Sequence, residues 1–163
     1  MLFPIILALS TLLCALVAGF LFAFVVVVMP GIKQLKDVEF LRVFQLIDGV
    51  IQKKQFFFML VWIGSILSLL IATVLGYNTL DSLGQSLIFV ALILYIVGVQ
   101  FPTMLINVPL NNHIQSLDIE DLTDVANKVA RRNFEPRWVF WNRIRSVFAI
   151  IVTAILLFLL ALM

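Results

Sequence analysis

Two short polar segments interrupt an otherwise apolar chain: NVPLNNH at residues 107–113 and RWVFWNRIR at residues 137–145. They place amides, one imidazole and several guanidinium groups beside aliphatic and aromatic stretches. Polar groups in such surroundings are costly unless they pack together or bind a ligand. These residue types support two kinds of chemistry: hydrogen bonding of the amides to a polar ligand, and proton transfer by His113.

The first segment continues a polar stripe on one face of a predicted helix. At about 100° per residue, these side chains fall within an arc of roughly 80°: Gln100, Thr103, Asn107 and Asn111. Pro102 and Pro109 lack a backbone donor, so the carbonyls four residues before them lose their usual partners and a kink is favoured. Asn107 and Asn111 either bind a polar ligand or only bond to these carbonyls and to a neighbouring helix.

The second segment places its polar and aromatic side chains on one face of a fourth helix: Trp138, Trp141, Asn142 and Arg145. Arg143 lies about 200° around the helix from Arg145, so the two cannot both point inward. Small residues, which mark helix contacts, continue on the Asn142 side, and Arg145 is therefore predicted to face the bundle interior. Arg143 and Arg137 are predicted to reach lipid phosphates, and each tryptophan is also interpretable as an interface anchor.

His113 is the only histidine and Cys14 the only cysteine. These counts exclude a bis-histidine haem, a multi-histidine metal centre, an intramolecular disulfide and a thiolate cage within one chain, and no metal is expected. His113 is either an acid or base or a hydrogen-bonded structural residue. No acidic residue lies within a predicted span, which argues against a transporter built on intramembrane carboxylates.

The elements that position these residues are predicted to be membrane-spanning helices. The chain is 63% hydrophobic and 12% charged, and apolar stretches of roughly 20 residues cross a bilayer. The stretches that qualify are residues 3–29, 56–75, 86–106 and 138–163. We expect an all-α, polytopic membrane protein, a four-transmembrane-helix bundle in which residues 1–163 form a single domain.

Each long connection is predicted to contain a short amphipathic helix at the membrane interface. In the first, Pro30 and Gly31 end the first membrane helix, and apolar residues then recur at helical spacing: Phe40, Val43, Phe44, Ile47, Val50 and Ile51. In the other, Asp118 is expected to cap a helix. Its basic end would meet anionic headgroups through Lys128, Arg131 and Arg132. Pro136 is expected to begin the fourth helix, because proline is accepted in the first turn but not in the interior.

Basic residues define the expected orientation. All 11 lysines and arginines lie in or beside the two long connections, and none lies in the short connection at residues 76–85. Because positive loops stay in the cytoplasm, the long connections are predicted inside and both termini outside, in a multi-pass cell-membrane protein. The expected partner is the lipid bilayer, and nothing resembles a nucleic-acid site.

Small residues recur every four positions on two predicted helices. They are Ala15, Gly19 and Ala23 on the first, and Gly64, Ser68 and Ala72 on the second. Such faces let helix backbones approach closely. They are predicted to pack the first helix against the second within one chain, and formation of a homo-oligomer is the alternative use.

At the two polar segments the chain resembles the anthrone oxygenase-like family of small four-helix membrane proteins, largely of unknown function. The resemblance spans most of the chain and rests on the order and spacing of its motifs. These are AGFLFAF at residues 18–24 leading into MPG at 29–31, NVPLN at 107–111, and WNRIR at 141–145. It implies the activity of the fungal members, which oxidise anthrones to anthraquinones without a metal or flavin.

The resemblance also implies a role for each candidate residue, a hydrophobic small molecule as substrate, and no cofactor. The catalytic candidates are His113 and Arg145, and the substrate-binding candidates are Asn107, Asn111, Asn142, Trp138 and Trp141. His113 would be the base, Arg145 would hold an anionic oxygen, and the tryptophans would stack on an aromatic substrate. The alternatives are a non-catalytic lipid- or quinone-binding protein and an accessory or structural subunit.

Overall fold

A computed structural model describes residues 2–163 as helices joined by short connections, with no strand in that range. The helices long and apolar enough to cross a membrane are α1 (Leu2–Ile32), α3 (Phe56–Gly76), α4 (Ser82–Gln115) and α5 (Asp124–Ala161). A shorter helix, α2 (Asp37–Gln52), lies in the first long connection. The predicted all-α class with four membrane helices is confirmed.

The long helices pack as an antiparallel bundle in which α1 contacts α3 and α5, and α4 contacts α5. Phe3, at the start of α1, lies beside Gly76 at the end of α3. At the other end of the bundle, the rings of Phe20 and Phe58 meet with centroids 5.3 Å apart. A hydroxyl pair, Ser65 Oγ and Tyr95 Oη at 2.7 Å, joins α3 to α4 within the core. This topology brings both long connections to the same end of the molecule.

The small-residue faces of α1 and α3 have different roles. An added Cβ at Gly64 would lie 3.2 Å from Leu13 Cδ1, so the α3 face does pack against α1. Gly19 has no neighbouring atom within 4 Å of an added Cβ, and Ala23 is exposed. The prediction that these two faces pack against each other is therefore right for the α3 face and wrong for the α1 face, because the Gly19 face of α1 points away from α3.

Two helices contain wider π turns close to their prolines. In α1, a π turn at Phe24–Val28 precedes Pro30, and the helix ends at Ile32 instead of stopping at the proline. In α4, π turns at Ile96–Gln100 and Thr103–Asn107 flank Pro102. Because proline removes one backbone donor, neighbouring residues bond one position further back and the helix continues.

The second long connection differs from its prediction. Asp118 caps no helix; residues 116–123 form turns, and α5 begins at Asp124, where Thr123 Oγ1 accepts a hydrogen bond from the Ala126 amide at 3.3 Å. The fourth helix does not begin at Pro136, which lies inside α5. Pro136 and Arg132, whose carbonyl it leaves free, are both exposed, so solvent can satisfy that carbonyl. The predicted separate amphipathic helix is instead the first part of α5.

The amphipathic helix predicted in the first connection is present as α2, but its apolar face is buried against α5. Phe40, Leu41 and Phe44 are almost completely inaccessible. The ring of Phe44 meets that of Phe134 edge to face, with centroids 4.5 Å apart. This packing makes α2 part of the bundle and turns one of its faces toward the membrane helices.

Arg131 ties α5 to the loop between α1 and α2. Its Nη1 and Nη2 atoms donate to the carbonyls of Leu35 and Lys33 at 2.8 and 2.7 Å, and its Nε donates to Glu135 at 2.8 Å. The guanidinium carbon lies 4.3 Å from the centroid of the Phe40 ring. Arg131 therefore serves this internal contact and not the lipid headgroups predicted for it.

Candidate functional site

A cavity of about 220 Å³ lies where every helix of the bundle contributes a wall, near the end that carries the long connections. Its aromatic lining residues are Phe20, Phe24, Phe44, Phe58, Trp62 and Trp138. Its polar lining residues are Asp48, Thr103, Asn107, Asn111, Asn142 and Arg145. An apolar cavity of about 150 Å³ is enough to bind benzene, so this one has room for more than a single ring.

Arg145 supplies the donor end of the cavity. The residue is only 4% exposed, and its Nη1 and Nη2 atoms donate to Thr103 Oγ1 at 2.9 Å and Asn142 Oδ1 at 2.8 Å. Asn142 is oriented in turn by donating to the Leu21 carbonyl at 3.1 Å. The Nε of Arg145 is buried and has no partner in the described residues. A buried donor without a partner costs free energy.

Asp48 supplies the acceptor end and was not among the predicted site residues. It is 4% exposed; its Oδ1 accepts from Asn111 Nδ2 at 2.7 Å, and its Oδ2 accepts from Gln115 and Gln52 at 3.0 and 3.2 Å. Within residues 2–163, no lysine, arginine or histidine nitrogen lies within 4 Å of this carboxylate. The signal was available, because Asp48 lies four residues after Phe44 and shares its helix face.

Trp138 and two asparagines connect α4 to α5 between these ends. The indole Nε1 of Trp138 donates to Asn111 Oδ1 at 2.7 Å, which fixes the Asn111 amide with its nitrogen toward Asp48. Asn107 Nδ2 donates to the Trp138 carbonyl at 3.3 Å, and its buried Oδ1 has no partner among the described residues. Both asparagines therefore bond to neighbouring helices and also line the cavity.

Aromatic rings form a continuous wall around the apolar part of the cavity. Ring centroids are 5.5 Å apart between Trp138 and Phe24, 5.1 Å between Phe24 and Phe20, and 5.3 Å between Phe20 and Phe58. Phe58 then stacks on Trp62 at 5.4 Å. Such faces favour a flat, aromatic ligand.

Two predicted site residues lie outside the cavity. His113 is exposed near the end of α4, and its backbone carbonyl accepts from Ser116 Oγ at 2.8 Å. Trp141 is half-buried and meets the ring of Phe140, with centroids 5.6 Å apart. Arg143 and Arg137 are exposed. Of the seven residues predicted for the site, the structure thus brings together Asn107, Asn111, Trp138, Asn142 and Arg145.

The ionisable groups of the site are one carboxylate and one guanidinium, accompanied by amides and one hydroxyl. No group of three or more His, Cys, Asp or Glu side chains suited to a metal occurs within residues 2–163. The cavity has hydrogen-bond donors at one end, an acceptor at the other and aromatic walls between them. This arrangement suits an organic molecule with a flat body and an acidic or anionic oxygen.

Fold and site together define a small multi-pass membrane protein with a buried, aromatic-walled polar pocket. Residues 50–155 match the Anthrone oxygenase family, and this match spans more than half of the chain. The chain belongs to the anthrone oxygenase family. No curated protein and no solved structure matches it. Asp48 lies two residues before the matched segment, whereas Asn107, Asn111, Trp138 and Arg145 lie within it.

Proposed function

We propose that this protein is a membrane-embedded, cofactor-independent oxygenase that converts a hydrophobic anthrone-type aromatic into a quinone with dioxygen. The observation that carries the proposal is the buried Arg145 guanidinium, which lines an aromatic-walled cavity and has no carboxylate within 4 Å among the described residues. Membership of the anthrone oxygenase family supports the same reaction class.

The reaction needs little from the protein because the substrate supplies its own electrons. Loss of a proton from the methylene carbon opposite the carbonyl gives an anion whose charge spreads onto the carbonyl oxygen. Dioxygen adds to that carbon and, after protonation, gives a hydroperoxide; loss of water then leaves the second carbonyl of the quinone. One methylene and one O₂ are thus converted into one carbonyl and one H₂O.

The residues of the cavity support distinct parts of this sequence. Arg145 and Asn142 would hold the developing enolate oxygen, because fixed donors in a site shielded from water stabilise such charge strongly. Asn107 and Asn111 would orient the oxygen substituents, and Trp138 would stack on the ring system. His113, which was predicted as the base, is exposed and outside the cavity, so the proposal assigns no step to it, and none to Trp141.

The proposed setting is the cell membrane, with both termini outside and the cavity toward the cytoplasmic end. The distribution of the 11 basic residues supports this orientation, since none lies between α3 and α4. A hydrophobic substrate would then reach the protein from within the bilayer.

Oxygen consumption tests the proposal directly. The full-length protein, purified in detergent, is given emodin anthrone in an oxygen-electrode cell, and product is followed by absorbance. We expect uptake above the spontaneous rate with one O₂ consumed per quinone formed. If uptake stays at the spontaneous rate while mass spectrometry finds a lipid or quinone bound to the purified protein, the protein is a binding or accessory protein instead.

A further inference from the structure

We propose that Asp48 is the general base of this reaction; this rests on the proposed function and deepens it. Asp48 and Arg145 are the only ionisable side chains that line the cavity in the described part of the chain. Since Arg145 is a hydrogen-bond donor only, proton removal inside the cavity falls to the carboxylate.

The two charged groups lie at different levels of α4. Arg145 bonds to Thr103, whereas Asp48 bonds to Asn111 and Gln115. Thr103 and Asn111 are eight residues apart, or about two turns, which is roughly 12 Å along the helix axis. In an anthrone, the acidic methylene and the carbonyl oxygen occupy opposite edges of the central ring. A substrate whose carbonyl oxygen binds Arg145 therefore presents its methylene edge toward Asp48.

The hydrogen bonds of Asp48 leave it able to accept a proton. A carboxylate offers about four lone-pair positions, and the amide donors of Asn111, Gln115 and Gln52 occupy three of them. Only one donor reaches Oδ1, the oxygen bonded by Asn111. Gln115 is held by its second bond, to the Gln45 carbonyl at 2.9 Å, so the carboxylate is fixed in position.

The proposed proton path balances. The Asp48 carboxylate removes one methylene proton, and the C–H electron pair moves into the ring system and onto the oxygen at Arg145. Dioxygen takes up that electron pair as the C–O bond forms, and the proton on Asp48 passes to the peroxide. Asp48 then removes the remaining proton from that carbon while the O–O bond breaks. The hydroxide released from the peroxide takes this proton from Asp48 and leaves as water.

Asp48→Asn in the full-length protein tests this step, with Glu39→Gln as the matched control on the same helix. Glu39 is exposed and lies outside the cavity. General-base catalysis contributes about 10²–10⁴-fold, so we expect kcat for emodin anthrone to fall at least about 100-fold in Asp48→Asn. Binding of the product-like anion emodin, followed by tryptophan fluorescence, should remain, and the control should match the wild type.

A pH series separates a base from a merely structural residue. Once the pH is high enough to ionise the anthrone in solution, the substrate arrives as the anion and no longer needs a base for its first deprotonation. The ratio of wild-type to Asp48→Asn rates should therefore fall as the pH rises through that point, because the first of the two deprotonations depends on Asp48 only at lower pH. A ratio that stays constant would show that Asp48 acts only by holding Asn111 and Gln115 in place.

The outcomes for Asp48 and for the proposed function are distinct. Without uptake by the wild type, the oxygenase proposal fails; with an active wild type and an equally active Asp48→Asn, only the role of Asp48 is overturned. If Asp48→Asn does not fold, Asp48→Ala is assayed with added formate. Recovery of uptake with formate supports the base, and an active variant that formate leaves unchanged contradicts it.

Discussion

Arg145 lies inside the bundle and has no carboxylate partner within residues 2–163. Its described contacts are the neutral oxygens of Thr103 and Asn142 and the ring of Trp138, whose centroid is 5.9 Å from the guanidinium carbon. An uncompensated buried charge is unfavourable, and an anionic ligand oxygen would relieve that cost. At the residue scale, the buried Arg145 guanidinium therefore favours a ligand that brings an anionic oxygen to it.

Arg145→Ala is expected to weaken emodin binding by about 10–100-fold, since hydrogen bonds to charged groups contribute about 1.5–3 kcal/mol. Arg143→Ala is the matched control two residues away, and its exposed side chain should leave the Kd unchanged. Fluorescence titration in detergent gives both constants. Equal effects of the two substitutions would contradict the inward role of Arg145.

The sequence allowed some of these residues to be assigned and not others, for a physical reason. The face of a long apolar helix is fixed by its period, so the angle between Arg143 and Arg145 could be read directly. The period also places Asp48 on the Phe44 face of α2, but only the packing of that face against α5 shows that Asp48 enters the bundle. His113 was singled out by its chemistry alone, which says nothing about whether a side chain points into the bundle.

At the scale of elements, α4 packs closely against α5 at a glycine. A Cβ added at Gly98, in the first π turn of α4, would lie 2.7 Å from Cδ1 and Cδ2 of Phe148. The Phe148 ring therefore rests directly on the α4 backbone. The polar stripe that follows, beginning at Gln100, is positioned by this contact.

Gly98→Ala is expected to lower stability by about 1–3 kcal/mol through overpacking, and to lower the melting temperature in detergent by about 5 °C. Gly19→Ala is the control, because no atom lies within 4 Å of its new Cβ and alanine favours a helix. A melting temperature for Gly98→Ala equal to that of Gly19→Ala would show that Phe148 moves aside freely.

Arg131 offers a second test at this scale. Arg131→Ala removes the bonds to Leu35, Lys33 and Glu135 and is expected to cost about 2 kcal/mol. The loop between α1 and α2 should then be cut faster by a protease. Arg132→Ala changes an exposed neighbour and should behave like the wild type. The same rate of cleavage in both variants would contradict the role of Arg131 in holding the loop.

Element boundaries were the weakest part of the sequence prediction. Pro136 was expected to begin a helix because local rules disfavour an interior proline. In the structure, turns on both sides of it belong to one helix, since Phe134 and Trp138 pack against the same partners, Phe44 among them. Tertiary packing of this kind cannot be read from a window of neighbouring residues.

For the whole molecule, the antiparallel topology groups the long connections at one end and leaves the turn between α3 and α4 at the other. That turn carries exposed Asn78, and the long α4–α5 connection carries exposed Asp121. Composition alone predicted the four spans, because the hydrocarbon thickness sets their length. Which end faces the cytoplasm is predicted from the distribution of the basic residues.

Variants with one added cysteine report the orientation of the protein in the membrane. In intact cells, Asn78→Cys is expected to react with a membrane-impermeant maleimide, and Asp121→Cys only after permeabilisation, because the basic end is predicted inside. The native Cys14 is buried and provides an unreactive background. The wild type serves as the blank, and the reverse labelling pattern would place both termini in the cytoplasm.

Because of the π turn at Thr103–Asn107, the number of residues in α4 determines which of its side chains point toward the cavity. A π turn holds one residue more than the α turn it replaces. In a regular α-helix of the same residues, every side chain beyond this turn would be rotated by about 100° around the helix axis. Asn111 would then lie off the cavity that it lines in the structure, although it would still be present. The number of residues between Gln100 and Asn111 is thus as informative as their identity when a related sequence is judged to possess the same pocket.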